Sequence, residues 1–155
     1  MPLLTLIGIL VVAGGVLFLK KVTLLHTENM DHPQMIRIRI SPFETFSMFY
    51  IHSIYKEPVI EEFQAEKEAI VLKGIRTKSP AVMEYYGFED TKEFHTMNQR
   101  LGAVFIIRRG MGERQGLVVR DRKISLSEIG GRGDRIQLRV ESVSLGEYLI
   151  LKLFH

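Results

Sequence analysis

The sequence predicts one antiparallel all-β domain, a sandwich or a small barrel, preceded by a single N-terminal transmembrane helix. Three observations carry that expectation. The stretch PLLTLIGILVVAGGVLFL, from Pro2 to Leu19, holds eighteen residues without a charge and is closed by Lys20 and Lys21. Beyond it, short runs of alternating apolar and polar residues recur at intervals of about ten residues, with turn formers between them. No long amphipathic helix interrupts these runs. With 155 residues, 46% hydrophobic and 25% charged, the chain has room for one core and not for two.

At about 1.5 Å per residue the first segment makes roughly 27 Å of helix, enough to cross a hydrocarbon core of about 30 Å. A cleaved signal peptide would begin with a basic region and end in small residues. This segment ends in Phe18, Leu19, Lys20 and Lys21, so it reads as an uncleaved anchor. Gly8, Gly14 and Gly15 are compatible with a membrane helix, where small residues allow close contact between helices. The two lysines after the helix, counted by the positive-inside rule, place the following domain in the cytoplasm. The expected organisation is an anchor over 1–21, a polar connector over 22–34 (VTLLHTENMDHPQ, with its turn at His32 and Pro33), and the β-domain over 35–155.

Within that domain MIRIRI alternates strictly, placing Met35, Arg37 and Arg39 on one face and Ile36, Ile38 and Ile40 on the other. TFSMFYIHSI, PVIEEFQAE and AIVLKGIRT read as the next strands. KSPAVMEYYGFEDTKEFHTMNQR has no clear period and reads as a long loop with one short helical turn. GAVFIIRR, GLVVRD, RIQLRVESV and GEYLILKLFH restore the strand pattern, while SLSEIG is a single helical turn capped by Ser125 and ended by Gly130.

The stretch YIHSIYKEPVIEEF is the first candidate site. A turn centred on Lys56 and Glu57 pairs His52 with Glu61 across an antiparallel hairpin, with Pro58 starting the second strand. A carboxylate beside the imidazole would fix its tautomer and raise its pKa, which suits proton transfer, ligand orientation or satisfaction of a buried histidine. The aromatic loop carrying Tyr85, Tyr86 and Phe88 beside Glu84, Glu89 and Asp90 is a candidate for binding or partner contact.

Other motifs are weaker. RRGMGERQG lacks a following helix and reads as a hairpin turn, not a phosphate loop. Arg132, Gly133 and Asp134 also read as a turn. His26 and His32 bracket Glu28 and Asp31 without a spacing that converges them, and there is no cysteine, so neither a metal nor a cofactor is implied. The net charge is +3, and from Arg100 to Arg139 ten basic residues face four acidic ones. That bias suits a solvated β-surface, or an anionic lipid, acidic partner or nucleic acid.

The hairpin residues His52, Ser53, Ile54, Pro58, Val59, Glu61 and Phe63 resemble the signature of domain-of-unknown-function family eighteen-fifty. GLVVRDRKISLSEIGGRGDRIQLRV is similar to that family's closing pattern, and the likeness covers about 110 residues. Where family members carry a Gly-Ala-Gly-x-Pro loop, this chain has KSPAVMEYYGFED. The resemblance implies a small exported or membrane-anchored protein encoded beside TAXI-type TRAP transporters, which import small organic anions.

The expectation is therefore a non-enzymatic, single-pass accessory subunit in the cytoplasmic membrane. The resemblance places its β-domain outside the cytoplasm, against the lysine count. Its partners would be the transporter's membrane subunit, its solute-binding protein and lipid, with no nucleic acid. His52, Ser53, Pro58, Glu61 and Phe63 would define the fold or the docking surface. The alternatives are a membrane-anchored sensor or enzyme using His52 and Glu61, or lipid or nucleic-acid binding through the basic region 100–139.

Overall fold

The computed structural model describes residues 2–90, 92–110 and 114–153, except for the side chains of Pro2, Leu3, Leu4, Leu6, Ile9, Leu10 and Ala13. Helix α1 spans Pro2–Leu19 and runs directly into strand β1, Lys21–Asn29. Among the described residues no helix is long and apolar enough to cross a membrane. α1 itself has 18 residues, seven of whose side chains fall outside that description.

The rest is mostly β and forms two antiparallel sheets. The first contains β1, β2 (Met35–Ile40), β7 (Val104–Arg108) and β10 (Arg135–Ser144), in the order β2-β1-β10-β7. The second contains β3 (Thr45–Ile51), β4 (Pro58–Glu66), β5 (Ala69–Arg76), β6 (Phe94–Gly102), β8 (Gly116–Val119) and β9 (Arg122–Ser125), in the order β6-β5-β4-β3-β8-β9. Leu25, Ile136 and Leu138 from the first sheet pack against Phe46, Phe63 and Leu117 from the second in one continuous core. The two inner faces thus close a sandwich, as alternating strands with one apolar face require. The strict alternation of MIRIRI has the expected consequence: Ile36, Ile38 and Ile40 face this core.

Three expected elements are different. The connector over 22–34 is largely strand β1, which pairs with both β2 and β10 and has Val22, Leu24 and Leu25 buried. Its polar residues do not break the strand, because His26 and Glu28 lie on the outer face while Leu25 and Thr27 alternate with them. The last part of the expected long loop, from Phe94, is strand β6, an edge strand whose outward positions are polar and so weaken the pattern. The final expected strand is helix α3, Leu145–Leu153. The Ser144 side chain accepts from the Glu147 N–H at 3.1 Å and so caps that helix.

SLSEIG forms the expected single turn as a 3-10 helix over Leu126–Glu128. Ser125 and Glu128 close a reciprocal capping box, and the backbone N–H of Ser125 donates to Glu128 at 2.9 Å. The Arg132–Asp134 tripeptide is a turn, with Gly133 at φ +87°. RRGMGERQG is not a hairpin: β7 and β8 belong to different sheets, so the segment crosses between them, and residues 111–113 lie outside the described residues.

Candidate functional site

The hairpin between β3 and β4 has a six-residue loop, His52 to Glu57, where a two-residue turn was expected. Ile51 therefore pairs with Pro58, Tyr50 with Val59 and Met48 with Glu61. The register differs by four residues from the expected one. An even shift keeps every side chain on its face but changes its neighbours, so the expected His52–Glu61 pair does not form. The favoured two-residue turns need positive φ at the first or at both central positions, hence Asn-Gly or Gly there, and Lys-Glu does not offer them. The longer loop places the strain at one residue, Lys56, whose φ is 58°. It is closed by His52 N–H donating to Glu57 O at 2.8 Å and Lys56 N–H donating to His52 O at 2.9 Å.

His52 is buried, and its ring stacks on Tyr55 at 5.2 Å and meets the edge of Tyr85 at 4.8 Å. Its Nδ1 accepts a long 3.4 Å bond from the Tyr55 N–H. Among the described residues no carboxylate orients it as a base, and the His52/Glu61 pair of the enzyme or sensor reading is not assembled. Ser53 is exposed beside His52, and Pro58 opens β4. Phe63 belongs to the core, where it stacks on Phe46 at 5.3 Å.

Glu61 instead sits beneath two tyrosines. Tyr50 Oη donates to Glu61 Oε1 at 2.9 Å, and Tyr86 Oη lies 2.6 Å from Tyr50 Oη and 3.3 Å from the same carboxylate oxygen. Burial pushes the Glu61 carboxyl above its ordinary value, against the opposing pull of the two hydroxyl bonds. Burial, then the neighbouring Glu61 charge, pushes Tyr50 well above its ordinary value, and burial likewise raises Tyr86. Both tyrosines therefore stay neutral donors.

Tyr85 and Tyr86 arrive from helix α2, Pro80–Tyr85. Ser79 caps it, accepting from the Val82 N–H at 3.4 Å, and Pro80 takes the first turn, where its missing N–H costs nothing. Thr77 ties the helix to the hairpin by donating to Pro58 O at 3.0 Å. Phe88 does not join the other two aromatics; it stacks on the buried His95 at 4.0 Å.

Together these elements wall an open groove of about 910 Å³. Tyr50, His52, Tyr85 and Tyr86 supply its aromatic side, while Lys56, Arg108 and Arg114 supply positive charge. Among the described residues Arg108 and Arg114 make no ion pair, and no described carboxylate is part of the lining. The groove lies at the end of the sandwich away from α1: β1 leaves α1 at Lys21, and the far end of the first sheet is marked by Asn29 opposite Ile136 and by Arg108 opposite Arg135.

The two groove arginines belong to the basic surplus of 100–139, but that surplus does not form one face. Arg100 pairs with Glu66 at 3.0 Å, Arg120 with Glu44 at 2.6 Å, Arg135 with Asp31 at 2.6 Å and Arg139 with Glu141 at 3.0 Å. Lys123 covers the Phe49 ring at 4.4 Å. Among the described residues no group of three or more His, Asp or Glu side chains could hold a metal. No family model, curated protein or solved structure matches the chain.

Proposed function

We propose that the chain is a non-enzymatic, single-pass accessory subunit of a TRAP-type transporter, with α1 as its anchor, its β-domain outside the cytoplasmic membrane, and a small organic anion or an acidic partner segment held in the groove. The observation that carries this reading is the groove itself. Three tyrosines and His52 offer apolar faces, and Lys56, Arg108 and Arg114 offer charge without a competing carboxylate among the described lining residues. A carboxylate binds such a site by charge-assisted hydrogen bonds to a guanidinium while its carbon body lies on the rings. The anchor draws its support from eighteen uncharged residues closed by two lysines. At about 3.3 Å per strand residue, β1 holds the groove roughly 30 Å from the end of α1.

The test has two parts. Lys78 is 83% exposed, so a Lys78→Cys variant of this cysteine-free chain is a clean topology probe. Labelling by a membrane-impermeant maleimide in intact cells is expected, as is co-purification with the transporter's membrane subunit; protection, or its absence from purified transporter, overturns the reading. Small mono- and dicarboxylates should raise the melting temperature of the full-length chain. Arg108→Ala should weaken that binding by about tenfold or more, the worth of one charge-assisted bond. Equal binding by wild type and Arg108→Ala removes the groove from the proposal.

A further inference from the structure

The outer face of the first sheet carries a second groove, which the reading above does not use. α3 begins beside the last turn of α1: a Cβ on Gly146 would lie 3.6 Å from Leu17 O and 3.7 Å from Leu17 Cβ. From there Leu145 and Tyr148 pack onto Val22, Leu24 and Val143, and the Arg39 guanidinium lies 6.0 Å from the centre of the Tyr148 ring. Between α3 and β2 a groove of about 630 Å³ remains, lined by Leu24, Gln34, Met35, Arg37, Tyr148 and Lys152 among others.

Arg37 is the unsatisfied group in this groove. It is half-buried, makes no ion pair among the described residues, and its Nε is buried without a hydrogen-bond partner. The nearby carboxylates are engaged elsewhere: Glu28 accepts from Gln137 at 2.9 Å, Glu141 pairs with Arg139 at 3.0 Å, and Glu128, at the groove rim, accepts from the Ser125 N–H. A buried guanidinium N–H left unpaired costs free energy that an entering anion would recover.

The surface around the groove identifies the kind of anion. On α3 the side chains of Ile150 and Leu153 are 57% and 81% exposed, and on the last turn of α1 Phe18 and Leu19 are 69% and 82% exposed. Lys20 and Lys21 lie exposed after Leu19, and Lys152 lies exposed near the other end of α3. Aliphatic side chains bordered by lysines, next to the end of an apolar helix, match the boundary between acyl chains and anionic headgroups.

We propose that the groove between α3 and β2 holds the phosphate of an anionic phospholipid, paired with Arg37 and Lys152, while an acyl chain lies past Ile150 toward Phe18. The site rests on α1 being a membrane anchor. It gives α3 a task distinct from that of the far groove, since a headgroup clamped at α3 fixes how the sandwich stands on the bilayer.

The full-length chain is reconstituted with phosphatidylcholine alone and with a mixture of phosphatidylcholine and phosphatidylglycerol, and the retained lipid is identified by native mass spectrometry. Wild type should retain phosphatidylglycerol over phosphatidylcholine, and Arg37→Gln should lower that preference by about tenfold. Arg122→Gln, an exposed arginine on the other sheet, should leave it unchanged. Lys152→Gln, on the exposed side of α3, gives a second reading should Arg37→Gln fail to fold. Displacement of the lipid by equimolar glycerol 3-phosphate would show that a soluble phosphate suffices, and would overturn the lipid assignment. Failure to float with neutral vesicles would overturn the anchor and this site together. Flotation with equal retention by wild type, Arg37→Gln and Lys152→Gln would overturn this site alone.

Discussion

Where β1 begins, the exposed side chains are apolar, with Phe18 and Leu19 69% and 82% exposed and Lys20 and Lys21 at the margin. At the end where β1 stops, the side chains are tyrosines, a buried histidine and two arginines, unpaired among the described residues, around a groove. One central strand connects the two ends, and its residues change accordingly. Val22 and Leu24 lie under α3, whereas Asn29 donates to Ile129 O at 3.1 Å and to Asp134 at 2.8 Å. The difference shows how a single core can serve two surfaces of opposite character. A free arginine groove placed beside a bilayer would collect headgroups, and an aliphatic patch placed at the groove would invite aggregation. Roughly 30 Å of strand keeps them apart.

The comparison breaks most sharply at glycine. Gly116 opens β8 next to the groove residues Arg114 and Gln115, and a Cβ there would meet the Ile124 carbonyl and lie 2.5 Å from Phe49 Cζ. A backbone carbonyl cannot rotate away as a flexible side chain can, so β8 or β9 must shift. Gly116→Ala is expected to destabilise the domain by about 1–3 kcal/mol and to weaken binding in the groove while leaving lipid retention intact. Urea unfolding and the two binding measurements check this; equal loss at both ends would mean the ends are not independent.

A smaller effect separates the ends by pH. Glu61 is an acid whose folded pKa lies above its unfolded value, so the folded state binds the extra proton. Its contribution is greatest at low pH and is lost as pH rises from the ordinary value of 4.5 through the raised one. Asp31, held down to about 2 first by its side-chain hydrogen bonds with Arg135, has the opposite sign and loses its contribution only as pH falls below its ordinary 3.8. The two windows do not overlap. Glu61→Gln should therefore flatten the decline in urea midpoint above pH 4.5, matching wild type near pH 4 and exceeding it near pH 8. Buried His26, whose pKa burial lowers from 6.5, adds a rise with pH in the same interval to both proteins, so the difference between them is the readout. A midpoint of Glu61→Gln that falls relative to wild type as pH rises would show the carboxylate to be stabilised in its charged form. Lys152 belongs to α3, on the outer face of the first sheet, so Lys152→Gln should leave that difference unchanged.

How much of this is legible in the sequence depends on which side chains face inward. MIRIRI and RIQLRV each have one uniformly aliphatic face, and their strand character follows from that face alone. β6 lies at a sheet edge with polar outward positions, and β1 has His26, Thr27 and Asn29 at buried positions, so both lose the period that would reveal them. The faces of His52 and Glu61 follow from parity, but their pairing depends on loop length, which parity does not report. The groove is less legible still. Arg108 and Arg114 come from a segment that crosses between the sheets, and Tyr86 comes from α2, so only the folded chain brings them to Tyr50. One available signal goes unused: Ser144-Leu-Gly-Glu147 before an apolar run has the spacing of a helix start, and it marks α3.

The smallest expected effect lies at the aliphatic end and tests whether α1 and α3 move as one. Gly146 is the second residue of α3, and the space above it is ordinary: the nearest atom to an added Cβ is Leu17 O at 3.6 Å. Alanine should therefore fit without displacing α1, and its better helix propensity should stabilise α3 by a few tenths of a kcal/mol, at most about 1. Leucine at the same position cannot fit that spacing and should separate the helix from α1. If α3 only caps the outer face of the sheet, Gly146→Leu will lower the urea midpoint and nothing more. If α3 is held at the bilayer by its contact with Leu17, the same variant will also lose the preference for phosphatidylglycerol, although Arg37 and Lys152 are both intact. Groove binding at the far end should not change in either variant, because no residue of α3 reaches it. A loss of groove binding in Gly146→Leu would mean that strain at α1 travels the length of β1, and would replace two separate surfaces with one coupled device.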